Sequence, residues 1–245
     1  MLDDLDARLH LWLIPLDDEL DRQWVSENRR LLSSEETARC NRYLRAGDAE
    51  LFLVAHVAVR RILSRYRDVA PEDWRFATGP HGRPEIVDAA VPPTLRFNLS
   101  HTPGMTAVLV HDGTDSGVDV ELIGRVADPV AMSRTVCADT EREALLALAP
   151  QQQATAFCRL WTLKESFIKA KGLGLAIPLE QFWFHGFEGD GPIGLGCTPE
   201  VDTDPAAWTF TVAPATDRHV VATGCRAGVG AERSVRVEEV DLSCW

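Results

Sequence analysis

The segment from Phe157 to Leu175 constrains the fold of this chain more than any other stretch. Apolar residues recur in it at steps of three and four, the spacing of an amphipathic helix that packs one stripe against a core. These apolar positions are Phe157, Leu160, Leu163, Phe167 and Ala170. On another face the spacing stacks Trp161, Glu165 and Lys169 at i, i+4 and i+8, and Lys164 borders that face. An exposed helix with a Glu–Lys pair explains this pattern as readily as a functional site does.

Composition places the chain among ordinary globular proteins. It has 245 residues, of which 45% are apolar and 25% charged, enough for one large domain or two small ones. The net charge of −12 argues against binding to nucleic acid. No apolar run approaches the ~20 residues of a membrane span, and the acidic N-terminus lacks the features of a signal peptide. We therefore expect a cytoplasmic protein that does not bind membranes.

The six cysteines are scattered along the chain without a C-x-x-C motif or a histidine pair at metal-ligand spacing. This distribution argues against a thiolate metal site and against a disulfide framework. Most of the cysteines are expected to be reduced, buried thiols.

Helical and strand patterns are mixed in both halves of the chain. Ser33 and Glu36 form a capping box that opens a helix carrying Arg39, which faces either solvent or a phosphate. A second capping box is predicted at Thr140 and Glu143. The expected strands, short and mostly hairpin-connected, include 9–16, 95–99, 106–111 and 117–122. This mixture indicates an α+β fold. If there are two lobes, they are expected to span 1–115 and 116–245.

The strand at 117–122 carries two carboxylates on one face. Side chains alternate along a strand, so Asp119 and Glu121 project together while Val118 and Val120 project oppositely. Two neighbouring carboxylates repel each other unless water or a cation separates them. Oxygen-only donors suit Mg²⁺ or Mn²⁺. An exposed strand end and a metal site account equally well for this pair.

Three motifs, taken in order and at their spacing, resemble the Sfp-type 4′-phosphopantetheinyl transferases. They are Asn98-Leu99-Ser100-His101, Gly117-Val118-Asp119-Val120-Glu121 and the segment Trp161–Lys169, and Gly82-Arg83-Pro84 is similar to that family's Gly-Lys/Arg-Pro turn. The resemblance covers about Ser33 to Pro178. It implies two similar α+β lobes related by a pseudo-twofold axis, with coenzyme A and the metal in the cleft between them.

The resemblance also implies residue roles. Asp119, Glu121 and Glu165 look like the carboxylates that hold Mg²⁺, or Mn²⁺, against the coenzyme A pyrophosphate. The residues that look like coenzyme A contacts are Arg39, Arg83, Ser100, His101 and Lys169. Trp161 looks like a packing residue that seats the helix.

The implied reaction is attack of a carrier-protein serine on the β-phosphate of coenzyme A, with release of 3′,5′-ADP. Glu165 serves as general base, as metal ligand or as both. Lys169 would neutralise charge on the leaving phosphate, with Lys164 as a second candidate. The family pattern is broken at Glu36 and at Leu51, where basic residues are common. Weaker coenzyme A binding is therefore expected.

Two other functions compete with this interpretation. A catalytically silent relative that binds carrier proteins or coenzyme A has no chemical need to keep Asp119, Glu121, Glu165 and Lys169 together. An unrelated Mg²⁺-dependent phosphotransferase would need a phosphate loop such as G-x-x-x-x-G-K-[ST], which is absent. A monomer that acts on acyl or peptidyl carrier proteins is expected. Polyketide, nonribosomal peptide and fatty-acid synthesis are not distinguished by the sequence.

Overall fold

The computed structural model describes residues 5, 8–16, 20–79, 81–87, 91–92, 94–227 and 233–245. Most of the acidic N-terminus lies outside these residues. The helices are α1 (Arg22–Asn28), α2 (Ser34–Cys40), α3 (Ala46–Leu63), α4 (Pro129–Val136), α5 (Asp139–Ala147) and α6 (Pro150–Lys171). The strands are β1 (Arg8–Pro15), β2 (Phe76–Thr78), β3 (Pro84–Ile86), β4 (Arg96–Thr102), β5 (Met105–His111), β6 (Ser116–Leu122), β7 (Phe182–His185), β8 (Gly194–Cys197), β9 (Trp208–Pro214), β10 (His219–Arg226) and β11 (Ser234–Glu239). The predicted α+β class is confirmed.

The chain forms two compact units. The first comprises Met1–Gly113 with Ser234–Trp245, and the second comprises Thr114–Arg233. In the first unit the sheet order is β11-β1-β5-β4, with α3 packed on β4 and β5. In the second unit the sheet order is β6-β10-β9, and α6 packs on β6 and β10.

The two units share one order of elements. Each begins with a strand, continues through short helices to a long one, and ends in a short hairpin and a longer hairpin. The strands β1-β5-β4 in the first unit and β6-β10-β9 in the second also have the same order in their sheets. The prediction of two similar α+β lobes is therefore confirmed, whereas the pseudo-twofold relation between them stays a prediction.

The C-terminal segment belongs to the first unit, and its predicted place in the second lobe is wrong. The predicted second lobe included everything from residue 116 to the end, but Ser234–Trp245 is part of the first unit. The reason is that β11 pairs with β1 in parallel, with Val235 opposite Leu9 and Val237 opposite Leu11. A short strand gives no indication in its own sequence of so distant a partner.

The second unit has an aromatic core on one side of α6. Phe167 lies at its centre, with ring centroids 4.9 Å from Trp208 and 5.0 Å from Phe182. All five apolar positions of the predicted stripe are buried. Helix α6 ends at Gly172, whose φ of 67° is the left-handed conformation favoured by glycine at a helix C-terminus. No helix in the described part of the chain is long and apolar enough to span a membrane.

Asp202 connects the end of α6 to the strands that follow. Its carboxylate accepts hydrogen bonds from the Asp204 N–H at 2.9 Å, Trp208 Nε1 at 3.0 Å and Lys171 Nζ at 3.0 Å. Arg226 lies 3.6 Å away. Burial raises the pKa of Asp202, but these hydrogen bonds and the charge of Lys171 lower it more, to about 2.

The Asp202 interactions should make stability depend on pH in acid. A carboxylate whose folded pKa lies below its unfolded value stabilises the fold above the unfolded pKa of ~3.9 and loses that contribution as pH falls through the folded pKa. We expect Asp202→Asn to lower the free energy of unfolding by about 1–2 kcal/mol near neutral pH and by much less near pH 2. Urea denaturation of both proteins over this range measures the difference. A difference independent of pH would contradict the prediction.

Candidate active site

Strand β6 lies against α6 at very short range. A Cβ on Gly117 would be 2.2 Å from the Ser166 carbonyl oxygen and 2.5 Å from the Ala170 nitrogen, so only glycine fits there. Side chains alternate along the strand, and Asp119 and Glu121 therefore share the face of Gly117. The predicted pairing of these two carboxylates on one face thus places both on the α6 side of the strand.

Helix α6 contributes the complementary charges. Lys169 Nζ donates a 2.8 Å hydrogen bond to Asp119 Oδ1, in a contact where the Asp119 side chain is 5% exposed. Glu165 lies one turn earlier on the helix and is half-buried. The structure therefore brings together four of the predicted residues, Asp119, Glu121, Glu165 and Lys169, in the second unit.

The carboxyl group of Glu165 has a pKa above its ordinary value. Burial raises its pKa, and so does the negative charge of Asp119. The Lys169 ammonium acts in the opposite direction, while Glu121 adds to the increase. A carboxylate whose pKa lies above its ordinary value is a better proton acceptor than an exposed one.

The three carboxylates fit a hard divalent cation by their chemistry. They offer oxygen donors only, which suits Mg²⁺ or Mn²⁺. Their mutual repulsion, seen in the raised pKa of Glu165, is what a cation between them would relieve. Among the residues that the structure describes, no group of three or more His, Cys, Asp or Glu side chains is arranged as a formed metal site. Lys169 is the cation that contacts Asp119, and Arg125 lies 3.2 Å from Glu121.

Lys164 does not reach this group. Its side chain is 0% exposed and forms an ion pair with Glu141 at 2.9 Å. Its ammonium also donates to the main-chain oxygens of Leu179 and Phe182, at 2.8 Å each. Burial lowers the pKa of Lys164 and raises that of Glu141. The alternative role for Lys164, direct contact with the leaving phosphate, is wrong for this structure because three protein acceptors already hold its ammonium.

The predicted coenzyme A contacts of the N-terminal half all lie in the first unit. Ser100 and His101 are neighbours on β4, where Ser100 is buried and His101 exposed. Arg83 directly precedes β3, which contacts β4, and its Nη2 lies 3.5 Å from His111 Nε2. Arg39, in the same unit, lies on α2, where its guanidinium is 5.3 Å from the centre of the Phe52 ring.

The departure at Glu36 has a structural explanation. Glu36 caps α2 together with Ser33 and forms ion pairs with Arg60 at 2.6 Å and His56 at 2.9 Å. Burial raises the pKa of Glu36, but the hydrogen bonds from His56 and Ser33 and the charge of Arg60 lower it to about 2. The carboxylate thus neutralises Arg60, whose side chain is itself buried. Leu51, the other departure, is buried in α3.

An apolar cavity of about 320 Å³ opens beside Glu121. Its lining is mostly uncharged and includes Val126, Pro129, Met132 and Trp161. Trp161 therefore packs in the second unit as expected and also forms part of this cavity wall. Such a lining suits an uncharged chain better than a phosphate.

Glu141 is the site-related residue that sequence reasoning missed. The predicted capping box was Thr140 with Glu143, but α5 begins two residues earlier, and it is Glu141 that accepts from the Ala138 N–H at 2.8 Å. Alanine carries no capping oxygen, so the usual Ser/Thr signal was absent. A glutamate three positions after the N-cap residue Ala138 was the available sign.

Family models match the sequence of both units. The family model of the 4′-phosphopantetheinyl transferase superfamily matches residues 116–223, and that of the 4′-phosphopantetheinyl transferase N-terminal region matches residues 20–112. The chain is 33% identical over 168 residues to 4′-phosphopantetheinyl transferase Sfp of Bacillus subtilis, covering 69% of this chain and 70% of that protein. It is 31% identical over 230 residues to 4′-phosphopantetheinyl transferase HetI of Nostoc sp., covering 92% and 90%. The chain belongs to the 4′-phosphopantetheinyl transferase superfamily.

Proposed function

We propose that this protein transfers the 4′-phosphopantetheine group of coenzyme A to a serine of an apo acyl or peptidyl carrier protein. The serine oxygen bonds to the β-phosphorus of coenzyme A, the bond from that phosphorus to the bridging oxygen breaks, and 3′,5′-ADP leaves with the electron pair. The observation that supports this best is the contact of Lys169 with Asp119 beside Glu165. A bound pyrophosphate would need a cation, carboxylates that hold a metal ion, and a base. Lys169, the pair Asp119 and Glu121, and Glu165 would supply them.

Asp119, Glu121 and Glu165 are the residues that would hold Mg²⁺ or Mn²⁺. When bound, the ion would neutralise charge on the pyrophosphate. Its fit rests on the oxygen-only donor set and on the raised pKa of Glu165, to which burial contributes most and the negative charges of Asp119 and Glu121 add.

Glu165 takes the proton of the attacking serine in this proposal. Burial and the charge of Asp119 raise its pKa, which makes its carboxylate a stronger base. Lys169, one turn further along α6, neutralises negative charge that grows on the leaving phosphate. Its hydrogen bond to Asp119 already holds the ammonium on the same face as Glu165.

Arg83, Ser100 and His101 are proposed to bind the phosphate and adenine end of coenzyme A. Arg39, on α2 of the same unit, is proposed as a further coenzyme A contact. Because Glu36 engages Arg60 and His56, we expect weaker binding than in relatives that carry basic residues there. We further propose a cytoplasmic monomer. Cys40, Cys137, Cys158 and Cys197 are free thiols, which fits a reducing compartment.

The proposal is tested by intact-protein mass spectrometry of apo carrier proteins incubated with this protein, coenzyme A and Mg²⁺. Carriers of fatty-acid, polyketide and nonribosomal peptide synthesis form the panel, since the substrate is expected in one of these classes. We expect a mass gain of one phosphopantetheine that is lost with EDTA and restored by excess Mg²⁺ or Mn²⁺. Transfer that persists in EDTA would contradict the metal requirement. No transfer to any carrier by the folded protein would favour the silent carrier-binding relative.

A further inference from the structure

Lys164 and Glu141 form a closed polar network inside the second unit. Both side chains are 0% exposed, and their charged atoms are 2.9 Å apart. A lysine ammonium has three donors. Here one contacts Glu141 and the other two reach the main-chain oxygens of Leu179 and Phe182. Every donor of the buried ammonium therefore has an acceptor.

Glu141 completes the network on its other side. Its carboxylate accepts from the Ala138 N–H and from the Phe184 N–H, each at 2.8 Å. The pair therefore connects the start of α5, the middle of α6 and strand β7. Desolvating two charges makes such a pair a poor source of stability compared with apolar side chains of similar size. What the pair does provide is a link between these three elements.

Glu165 follows Lys164 on α6, and Ser166 follows Glu165. Ser166 contacts β6, whereas Lys164 contacts β7. The Ser166 carbonyl oxygen lies against Gly117 of β6, so closely that no Cβ fits between them. Helix α6 is therefore held to β7 through Lys164 and to β6 through Ser166. These two contacts flank Glu165 in the sequence and limit how far the helix can rotate about its own axis there.

We propose that Lys164 and Glu141 are positioning residues for the transfer reaction. They fix the rotation of α6 so that Glu165 and Lys169 face Asp119. Neither touches a substrate, because neither is exposed. The inference rests on the proposed roles of Glu165 and Lys169.

A double-mutant cycle tests it, with Lys164→Met, Glu141→Gln and the double variant measured for kcat, KM for coenzyme A and Tm. Outer residues that orient a reactive group typically matter by about 10–100-fold, and we expect each single variant to lower kcat by that factor. The double variant should be no slower than either single one, because both changes disrupt the same network. KM for coenzyme A should change less than about threefold, since no substrate contact is lost.

Lys171→Met is the matched control. Lys171 lies on the same helix and is also ion-paired, with Asp202 at 3.0 Å, but it has no connection to β7. This variant should lower Tm while leaving kcat unchanged. If Lys164→Met behaves in the same way, the network is only structural and the proposal is overturned. If Lys164→Met is far slower than Glu141→Gln and the effects add, Lys164 acts on the substrate directly, which also overturns it.

Two further measurements keep the outcome clear. If Lys164→Met fails to fold, Lys164→Met/Glu141→Leu, which removes both charges, takes its place in the comparison with Lys171→Met. Glu165→Gln is measured in parallel. Full activity in Glu165→Gln would overturn the proposed role of Glu165 in catalysis. It would also overturn the proposal that Lys164 and Glu141 position Glu165 for the reaction. If Glu165→Gln loses activity while the Lys164 and Glu141 variants keep an unchanged kcat, only the positioning role of Lys164 and Glu141 is overturned.

Discussion

Glu165→Gln is expected to lower kcat for phosphopantetheine transfer by about 1,000-fold, within the range that a general base contributes. The amide cannot accept the serine proton, and it is a weaker metal ligand than a carboxylate. The side-chain shape is retained, and removing a carboxyl group that neighbours Asp119 and Glu121 relieves repulsion. Stability should therefore be unchanged or higher. Steady-state rates with an apo carrier, followed by mass spectrometry, measure the effect.

The matched control for this variant is Glu143→Gln, an exposed residue on α5 of the same unit. It should keep the full rate. Mn²⁺ titration of Glu165→Gln then separates the two roles of the carboxylate. An unchanged Mn²⁺ affinity with a reduced kcat identifies Glu165 as the base, whereas a reduced affinity identifies it as a ligand as well. A Glu165→Gln protein as fast as Glu143→Gln would refute both roles.

The reactive face of the site follows from local periodicity, which explains why the sequence predicted it. Alternation along β6 places Asp119 and Glu121 on one side, and the 3.6-residue repeat of α6 places Glu165 one turn from Lys169. That these two faces meet depends on Gly117, whose role is visible only when the strand and the helix are packed together. Periodicity thus identifies each face, and only the tertiary structure shows that the faces are in contact.

Lys164 illustrates where such reasoning fails. In the sequence it adjoins Glu165 and carries the charge that a phosphate needs, so a direct role was a reasonable hypothesis. Its environment is decided by Glu141 and by two main-chain oxygens, 15 and 18 residues further along the chain. The pairing of β11 with β1 escaped prediction for the same reason, because its partners are separated by more than 200 residues.

Gly117→Ala is expected to destabilise the second unit by about 3 kcal/mol or more, at the upper end of what overpacking costs in a core. The added methyl carbon would lie 2.2 Å from Ser166 O and 2.5 Å from Ala170 N. Both atoms belong to the backbone of α6, so no side-chain rotation can relieve the clash. The strand and the helix must separate, and this would lengthen the contact between Asp119 and Lys169. Urea denaturation measures the loss of stability, and the rate per folded molecule measures the displacement.

The same substitution at Gly47 provides the control. Gly47 lies in the first turn of α3, and a Cβ there meets no atom within 4 Å. Gly47→Ala should therefore be neutral or stabilising by up to about 1 kcal/mol, as alanine is the better helix former. If Gly117→Ala is as stable as Gly47→Ala, β6 and α6 are not in contact as described. If Gly117→Ala is destabilised but each folded molecule keeps the full rate, the close approach supports the fold without setting the geometry of Asp119 and Lys169. Loss of both stability and rate is expected, because the close approach at Gly117 sets the distance between the carboxylate strand and the helix that carries Glu165.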